Sequence, residues 1–200
     1  SIDDDVVVEA LGKTQPAEVL PWGVNRIDAD LVWGTTTGDP VKVAIVDTGV
    51  DIGHPDLISN LKGGVSTIWY TTSYKDDNGH GTHVAGIVGA VDNTIGVIGV
   101  GPQIDLYAVK VLDRRGSGYL SDVIEGLDWA VANRMQVVNM SLGTSSDILS
   151  FHDAVQKVNA AGIVQVAAAG NNGGSVIYPA AYPEVIAVSA TDNTDNLASW

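Results

Sequence analysis

The sequence of 200 residues contains no cysteine, few basic residues and no long apolar run. Without cysteine it has no disulfide framework, no thiol nucleophile and no zinc–thiolate site. Ten Lys and Arg stand against 24 Asp and Glu, for a formal net charge of −14, and this balance argues against nucleic acid as a partner. No segment has the length of a membrane-spanning helix, and the acidic start SIDDDVVVEA lacks the basic region of a signal peptide. We expect no nucleic-acid partner and no membrane partner.

The hydrophobic residues, 45% of the chain, fall into alternating strand and helix patterns. Helical spacing follows His80, recurs over 119–133 with Ser121 as a candidate N-cap, and recurs again up to a closing Gly162. This alternation predicts an α/β domain with a doubly wound, mostly parallel sheet and helices on both faces. Apolar runs typical of buried strands lie at 41–50, 104–112, 135–143, 163–171 and 185–190.

Three polar clusters follow predicted strands, at the sheet edge where α/β proteins carry their function. They lie at Asp47–Gly49, Asn139–Gly143 and Gly170–Gly173. The first is Asp47 with Thr48 and Gly49. A buried carboxylate at a strand end is costly unless it has a partner, so Asp47 either caps a turn or orients another group. Aspartic proteases also use Asp-Thr-Gly, but they need two facing carboxylates, and a second such triplet is absent.

Two histidines, His80 and His83, stand three residues apart in DDNGHGTHVAG. A zinc pair on a helix would more naturally read His-Glu-x-x-His, and that glutamate is missing. Gly79 and Gly81 leave room beside His80, which suits a general base that substrate must approach, with Asp47 as its orienting acceptor. We interpret His83 as a packed residue within the helix.

The third cluster, AAAGNNGG over 167–174, is a strand of small side chains that ends in Asn171. Small residues allow a peptide backbone to lie against the strand, and an Asn amide can donate to a developing oxyanion. The same sequence is also typical of an ordinary Asn-Gly turn after a strand.

Taken together and in order, these stretches resemble the subtilisin family, the subtilases. The matching segments are VAIVDTGVDIGHPDL, NGHGTHVAG, VVNMSLG and VAAAGNNG, and the likeness extends from about Pro21 to Trp200. The resemblance implies a secreted serine endopeptidase in which Asp47 orients the imidazole, His80 is the general base and Asn171 donates to the oxyanion. The substrate-binding residues that it implies are Gly116, Ser117, Gly118, Ser141, Leu142, Gly143, Ala168, Ala169 and Gly170, with Val123 and Leu142 lining a more distant apolar pocket.

The resemblance also implies a bound Ca²⁺. Family members commonly hold calcium in the loop after the catalytic-histidine helix, which here reads AVDNTIGV. An all-oxygen ligand set suits Ca²⁺. The alternative is that this segment is an ordinary Asn-rich loop, which could have the same sequence. The implied ligands are the side chains of Glu18, Asp56 and Asn93 and the carbonyls of Val91, Ile95 and Val97.

The family's nucleophilic serine is not found in this sequence. GTSSD at 143–147 imitates the start of the family's serine motif, but it follows the substrate-binding segment and lacks the Met-Ala continuation, so Ser145 is not expected to be the nucleophile. We expect a catalytic domain over 15–200 that stops before the nucleophile helix, with the serine beyond Trp200. This chain alone is then expected to be inactive.

Residues 1–14 resemble the tail of the inhibitory propeptide of these enzymes; a simple N-terminal extension is the alternative. The expected partners are polypeptide substrates and the protein's own propeptide, and we expect a monomer. Two other functions stay open. One is a catalytically inactive subtilase-like module that binds peptides, and the other is a calcium-binding structural domain.

Overall fold

The computed structural model describes residues 16–198. The predicted propeptide tail, residues 1–14, lies outside this range. The described chain forms one six-stranded sheet in the order β2-β3-β1-β4-β5-β6, and every neighbouring pair of strands is parallel. The elements are α1 (Trp22–Arg26), α2 (Ala29–Val32), β1 (Lys42–Asp47), β2 (Leu61–Ser66), α3 (His80–Gly89), β3 (Asp105–Lys110), α4 (Leu120–Ala132), β4 (Val137–Met140), α5 (Leu149–Ala160), β5 (Val164–Ala168) and β6 (Ile186–Val188).

Helices pack on both faces of the sheet, which confirms the predicted fold class. On one face, α4 and α5 bury a large core with alternate residues of β1, β3, β4 and β5. On the opposite face, α3 packs a smaller core against the other alternate residues of β1 and β3. The period-2 alternation of a strand sends neighbouring residues to opposite faces, so Val46 belongs to the first core and Ile45 to the second.

Three local features differ from the sequence prediction. Strand β2 was not predicted, because its sequence LKGGVS contains two glycines and a lysine and it lies half-buried at the sheet edge. Helix α4 begins at Leu120 after an extended Tyr119, so Ser121 lies inside the first turn and is not the N-cap. The short helices α1 and α2 were also not predicted. Gly162, with φ of 77°, does follow the end of α5 as expected.

No helix within residues 16–198 is long and apolar enough to cross a membrane.

Candidate active site

The structure brings Asp47 and His80 into direct contact. His80 is the first residue of α3, and its Nδ1 lies 2.7 Å from Oδ1 of Asp47, the last residue of β1. The Asp47 side chain is fully buried, whereas that of His80 is half-exposed. Oδ1 also accepts the backbone N–H of Thr48, at 2.7 Å, and the buried Oδ2 finds no partner in the described part of the chain. A buried carboxylate in this position fixes the imidazole ring and leaves its Nε2 for a substrate.

The close approach of α3 to β1 depends on glycine. A Cβ on Gly81 would lie 2.1 Å from the carbonyl oxygen of Gly49 and 3.1 Å from Oδ1 of Asp47. Gly79, just before the helix, has a left-handed φ of 110°, which side chains disfavour. Gly79 therefore allows the sharp turn that leads into α3, and Gly81 allows the start of α3 to pack closely against Asp47.

Asp76 organises the start of α3. Its carboxylate accepts hydrogen bonds from the Thr48 and Thr82 hydroxyls and from backbone N–H groups of the helix start. Burial raises the pKa of Asp76, but the Thr82 hydroxyl and the N–H groups of Gly79, Asn78 and Thr82 outweigh burial, so this pKa lies below its ordinary value. Asp76 thus stays ionised and ties the histidine loop to the end of β1.

His83 lies within α3, as expected, and its backbone N–H donates to the carbonyl of Gly79. Its side chain is exposed, however, and not packed as the sequence suggested. The reason is geometric: α3 turns its small residues, such as Ala85 and Gly89, toward the sheet.

A cleft of about 650 Å³ opens beside His80. Two of the predicted substrate-binding segments, Gly116–Gly118 and Ser141–Gly143, line it. Apolar side chains that include Leu120, Val123 and Phe151 also line it. The cleft therefore has an imidazole, two glycine-bearing backbone segments and apolar side chains around one space, which suits an extended peptide. Its lining residues are Thr48, Asn78, His80, Leu112, Arg115, Gly116, Ser117, Gly118, Leu120, Val123, Ser141, Leu142, Gly143, Thr144, Ile148 and Phe151.

Asn171 and the third predicted segment, Ala168–Gly170, lie at the end of β5 and do not line this cleft. β4 separates β5 from β1, and Asn171 is exposed. The Ile177 side chain fills the space beside both Gly143 and Gly170: a Cβ on Gly143 would meet its Cδ1 at 2.5 Å, and one on Gly170 would meet its Cγ1 at 3.2 Å. The oxyanion role of Asn171 and the pocket role of Ala168–Gly170 stay predictions.

Hydrogen bonds connect the six residues that are predicted to bind calcium. The backbone N–H of Asn93 donates to Oε1 of Glu18 at 2.6 Å, and that of Val97 donates to Oδ2 of Asp56 at 2.9 Å. The Asn93 amide contacts Oδ1 of Asp56 at 2.8 Å and the Val91 carbonyl at 3.4 Å. The carbonyls of Ile95 and Val97 accept no hydrogen bond from any described residue.

The side chains and carbonyls of the 90–97 loop and of Asp56 are also chemically suited to bind a cation. Asp56 is buried, yet no cationic side chain pairs with it in the described range. No three His, Cys, Asp or Glu side chains cluster within residues 16–198, so most ligands for an ion here would be amide and carbonyl oxygens. Two carboxylates with carbonyl and amide oxygens form a set that Ca²⁺ accepts.

Sequence reasoning missed Lys110, Asp76 and Asp77. Lys110 is fully buried beside Asp47 in the sheet, since these two residues are register partners of β3 and β1. A lysine inside the apolar run YAVKVL was the available signal, because a buried ammonium needs partners. Ser145 is exposed and does not line the cleft.

Comparison with known proteins shows the family of this chain. The sequence profile of the subtilase family matches residues 38–200. The chain is 50% identical over 182 residues to the minor extracellular protease Epr of Bacillus subtilis, covering 90% of this chain and 28% of that protein. It is 47% identical to subtilisin Savinase of Lederbergia lenta, covering 92% and 68%, and 47% identical to an alkaline protease of Shouchella clausii, covering 94% and 49%. The chain thus spans between 28% and 68% of these relatives, and it belongs to the subtilase family.

Proposed function

We propose that the complete protein containing this chain is a serine endopeptidase that cleaves extended polypeptides. In the proposed triad, the chain supplies Asp47 and His80, and the serine lies beyond Trp200. Nε2 of His80 takes the proton of the serine hydroxyl as its oxygen attacks the scissile carbonyl carbon, and later gives that proton to the leaving amine. Asp47 holds the imidazole in the required tautomer and stabilises the imidazolium that forms.

The observation that carries this proposal is the 2.7 Å contact between Nδ1 of His80 and the fully buried Asp47, at the wall of an open cleft. A turn-capping aspartate would need no imidazole partner. A packed histidine would not be half-exposed beside a cleft of this size.

The substrate is proposed to lie as an added strand between Gly116–Gly118 and Ser141–Gly143. Both segments line the cleft on which His80 opens. Asn171 is proposed to donate to the oxyanion, and Ala168–Gly170 to wall the primary specificity pocket together with Ser141–Gly143. Removal of such an oxyanion donor in a subtilisin costs about 10²–10³ in kcat, a magnitude that belongs to another member of this family.

Ca²⁺ is proposed to bind Glu18, Asp56, Asn93 and the carbonyls of Val91, Ile95 and Val97. When bound, it supplies structural cohesion and takes no part in peptide hydrolysis. A Cβ on Gly96 would lie 2.2 Å from Oδ2 of Asp56, so this loop is already folded tightly around the carboxylate. Chelation is expected to lower the melting temperature of the complete protein, and less so in an Asn93→Ala variant.

Secretion and a propeptide inhibitor complete the proposal. The name of the Bacillus subtilis relative describes that protein as extracellular, which supports secretion here. The acidic segment 1–14 is proposed to occupy the cleft before maturation.

The test is labelling of the complete protein with a fluorophosphonate, which reacts with an activated serine. We expect His80→Ala to lower the labelling rate by about 10⁴-fold or more, whereas the matched variant His83→Ala keeps it within about twofold. Equal loss in both variants, or no labelling of the unsubstituted protein, would refute the proposed protease. The second result would favour the catalytically inactive peptide-binding module.

A further inference from the structure

Lys110 joins three separate segments at the back of the cleft. Its ammonium is fully buried and donates to the Thr48 carbonyl at 2.5 Å, to Oδ1 of Asp77 at 2.5 Å and to the Leu112 carbonyl at 3.1 Å. Thr48 follows β1, Asp77 belongs to the loop before His80, and Leu112 begins the loop that runs to Gly118. All three donor positions of the ammonium are thereby used.

Two hydrogen bonds hold the backbone of Arg114, one to Tyr70 and one to Asn78 in the loop before His80. Its N–H donates to the Tyr70 hydroxyl at 3.2 Å, and its carbonyl accepts from Nδ2 of Asn78 at 3.1 Å. The Tyr70 hydroxyl in turn donates to Oδ2 of Asp77 at 2.8 Å. A continuous chain of hydrogen bonds therefore runs from Lys110 through Asp77 and Tyr70 to Arg114.

We propose that Lys110, Asp77, Tyr70 and Asn78 form a clamp that holds the 112–118 loop in register with His80, so that they are positioning residues for extended substrates. This inference rests on the proposed protease function. It assigns a role to four side chains that neither the predicted triad nor the predicted substrate segments include.

The charges of the clamp favour a single arrangement. Asp77 is partly exposed and is shared between a buried cation and a phenol, so both of its oxygens accept strong hydrogen bonds. Burial and the hydrogen bond to Asp77 raise the pKa of Tyr70, which keeps its hydroxyl protonated as the donor.

The 112–118 loop also has internal order that the clamp can orient as one body. Oδ1 of Asp113 accepts the N–H groups of Arg115 and Ser117, at 2.8 and 3.1 Å. Gly116 adopts a left-handed φ of 75° at the turn. Arg114, the residue held by the clamp, lies between the two ends of this turn, so its displacement would move Gly116–Gly118 relative to His80.

The test compares Tyr70→Phe with Tyr74→Phe in the complete protein. Tyr70→Phe removes only the hydroxyl that links Asp77 to Arg114. Tyr74→Phe is the matched control, because the Tyr74 hydroxyl makes no hydrogen bond within residues 16–198. Each variant is assayed on a peptide long enough to reach Gly116–Gly118, on a short ester that is not, and with the fluorophosphonate.

We expect Tyr70→Phe to raise KM for the long peptide about threefold to tenfold, the range for losing one hydrogen bond. Turnover of the short ester and the labelling rate should stay within about 1.5-fold, as should all values for Tyr74→Phe. An equal loss on the long and the short substrate would reveal a general structural role and overturn the clamp. So would a Tyr70→Phe variant that behaves like the control.

A second measurement is independent of activity. We expect hydrogen exchange at the Arg114 amide to accelerate about tenfold in Tyr70→Phe, and not in Tyr74→Phe, because its acceptor is lost. Unchanged exchange would overturn the clamp whether or not the protein is a protease. Accelerated exchange in a protein that no fluorophosphonate labels would support the clamp and refute the protease.

Discussion

Two parts of one sheet face differ in how well they are covered. Where α3 packs on β1 and β3, the inward side chains are buried, and even Asp47 and Lys110 are fully inaccessible. The same face continues across β4 and β5 to β6, because Asn139, Val166 and Ile186 are successive register partners. There, in the open region formed by Val164, Val166, Ala168, Ile186 and Val188, Ile186 is 56% exposed and Val188 is 50% exposed.

This difference determines which parts of the site the described residues can complete. A buried charge is costly unless it has partners. In the α3-covered region the Lys110 ammonium has three acceptors, and Oδ1 of Asp47 contacts His80 and the Thr48 N–H. Asn171 and Ala168–Gly170 lie beside the open region, where solvent still reaches the strands. The described residues complete the contact between Asp47 and His80, whereas the oxyanion role of Asn171 and the pocket role of Ala168–Gly170 are proposed.

The largest expected effect on stability comes from the buried cation of the covered region. Lys110→Met leaves the Thr48 and Leu112 carbonyls without their donor, and should lower the free energy of unfolding by about 3 kcal/mol. Lys62→Met is the matched control: Lys62 lies 3.7 Å from Asp105 and is 42% exposed, so its loss should cost less than about 0.5 kcal/mol. Urea unfolding at unchanged m-value measures both. Equal costs would mean that burial of Lys110 adds nothing.

Some features of the covered region could be predicted from the sequence and others could not. The Asp47–His80 pair followed from a carboxylate at a strand end and from the glycines beside His80, both local signals. The calcium site implied by the resemblance stays a prediction, although hydrogen bonds link Glu18, Asp56 and Asn93. Lys110 could not be placed, because its three partners are far apart in sequence and meet only in the fold. β2 was missed since its glycines suit a strand only where Gly64 packs closely on Ala108, which no local pattern reveals.

Ile177 is expected to control which residue enters the proposed primary pocket, next to Ala168–Gly170. Its side chain fills the space beside Gly143 and Gly170, so we expect the proposed pocket to prefer small residues. Ile177→Gly should open it and raise kcat/KM for a large apolar residue, relative to alanine, about tenfold. The neighbouring exposed Val176→Ala should leave this ratio unchanged. A ratio unaffected by Ile177→Gly would separate this side chain from the pocket.

Asp76 gives a smaller, pH-dependent effect within the covered region. Because its folded pKa is depressed below the ordinary 3.8, its contribution is fully present above that value and is lost as the pH falls through the lower folded value. Asp76→Asn should cost about 1 kcal/mol near pH 7, comparable with the loss of a helix cap, and the gap to the unsubstituted protein should close below about pH 3.8. Asp128→Asn, on the exposed side of α4, should show no such gap. A cost that stays constant down to pH 2 would contradict the assignment.

The open region should give the smallest change in stability but a clear change in association. Ile186 and Val188 point from an edge strand into solvent, and an exposed apolar edge pairs readily with another chain. In the 200-residue chain, the double substitution Ile186→Lys and Val188→Lys should change the free energy of unfolding by less than about 0.5 kcal/mol, while sedimentation shows weaker self-association. Leu149→Lys, at a leucine on α5 that is 75% exposed, should leave association unchanged. If both variants weakened association alike, the added positive charge and not the β6 face would be the cause. The exposed side chains of the open region would then not drive association.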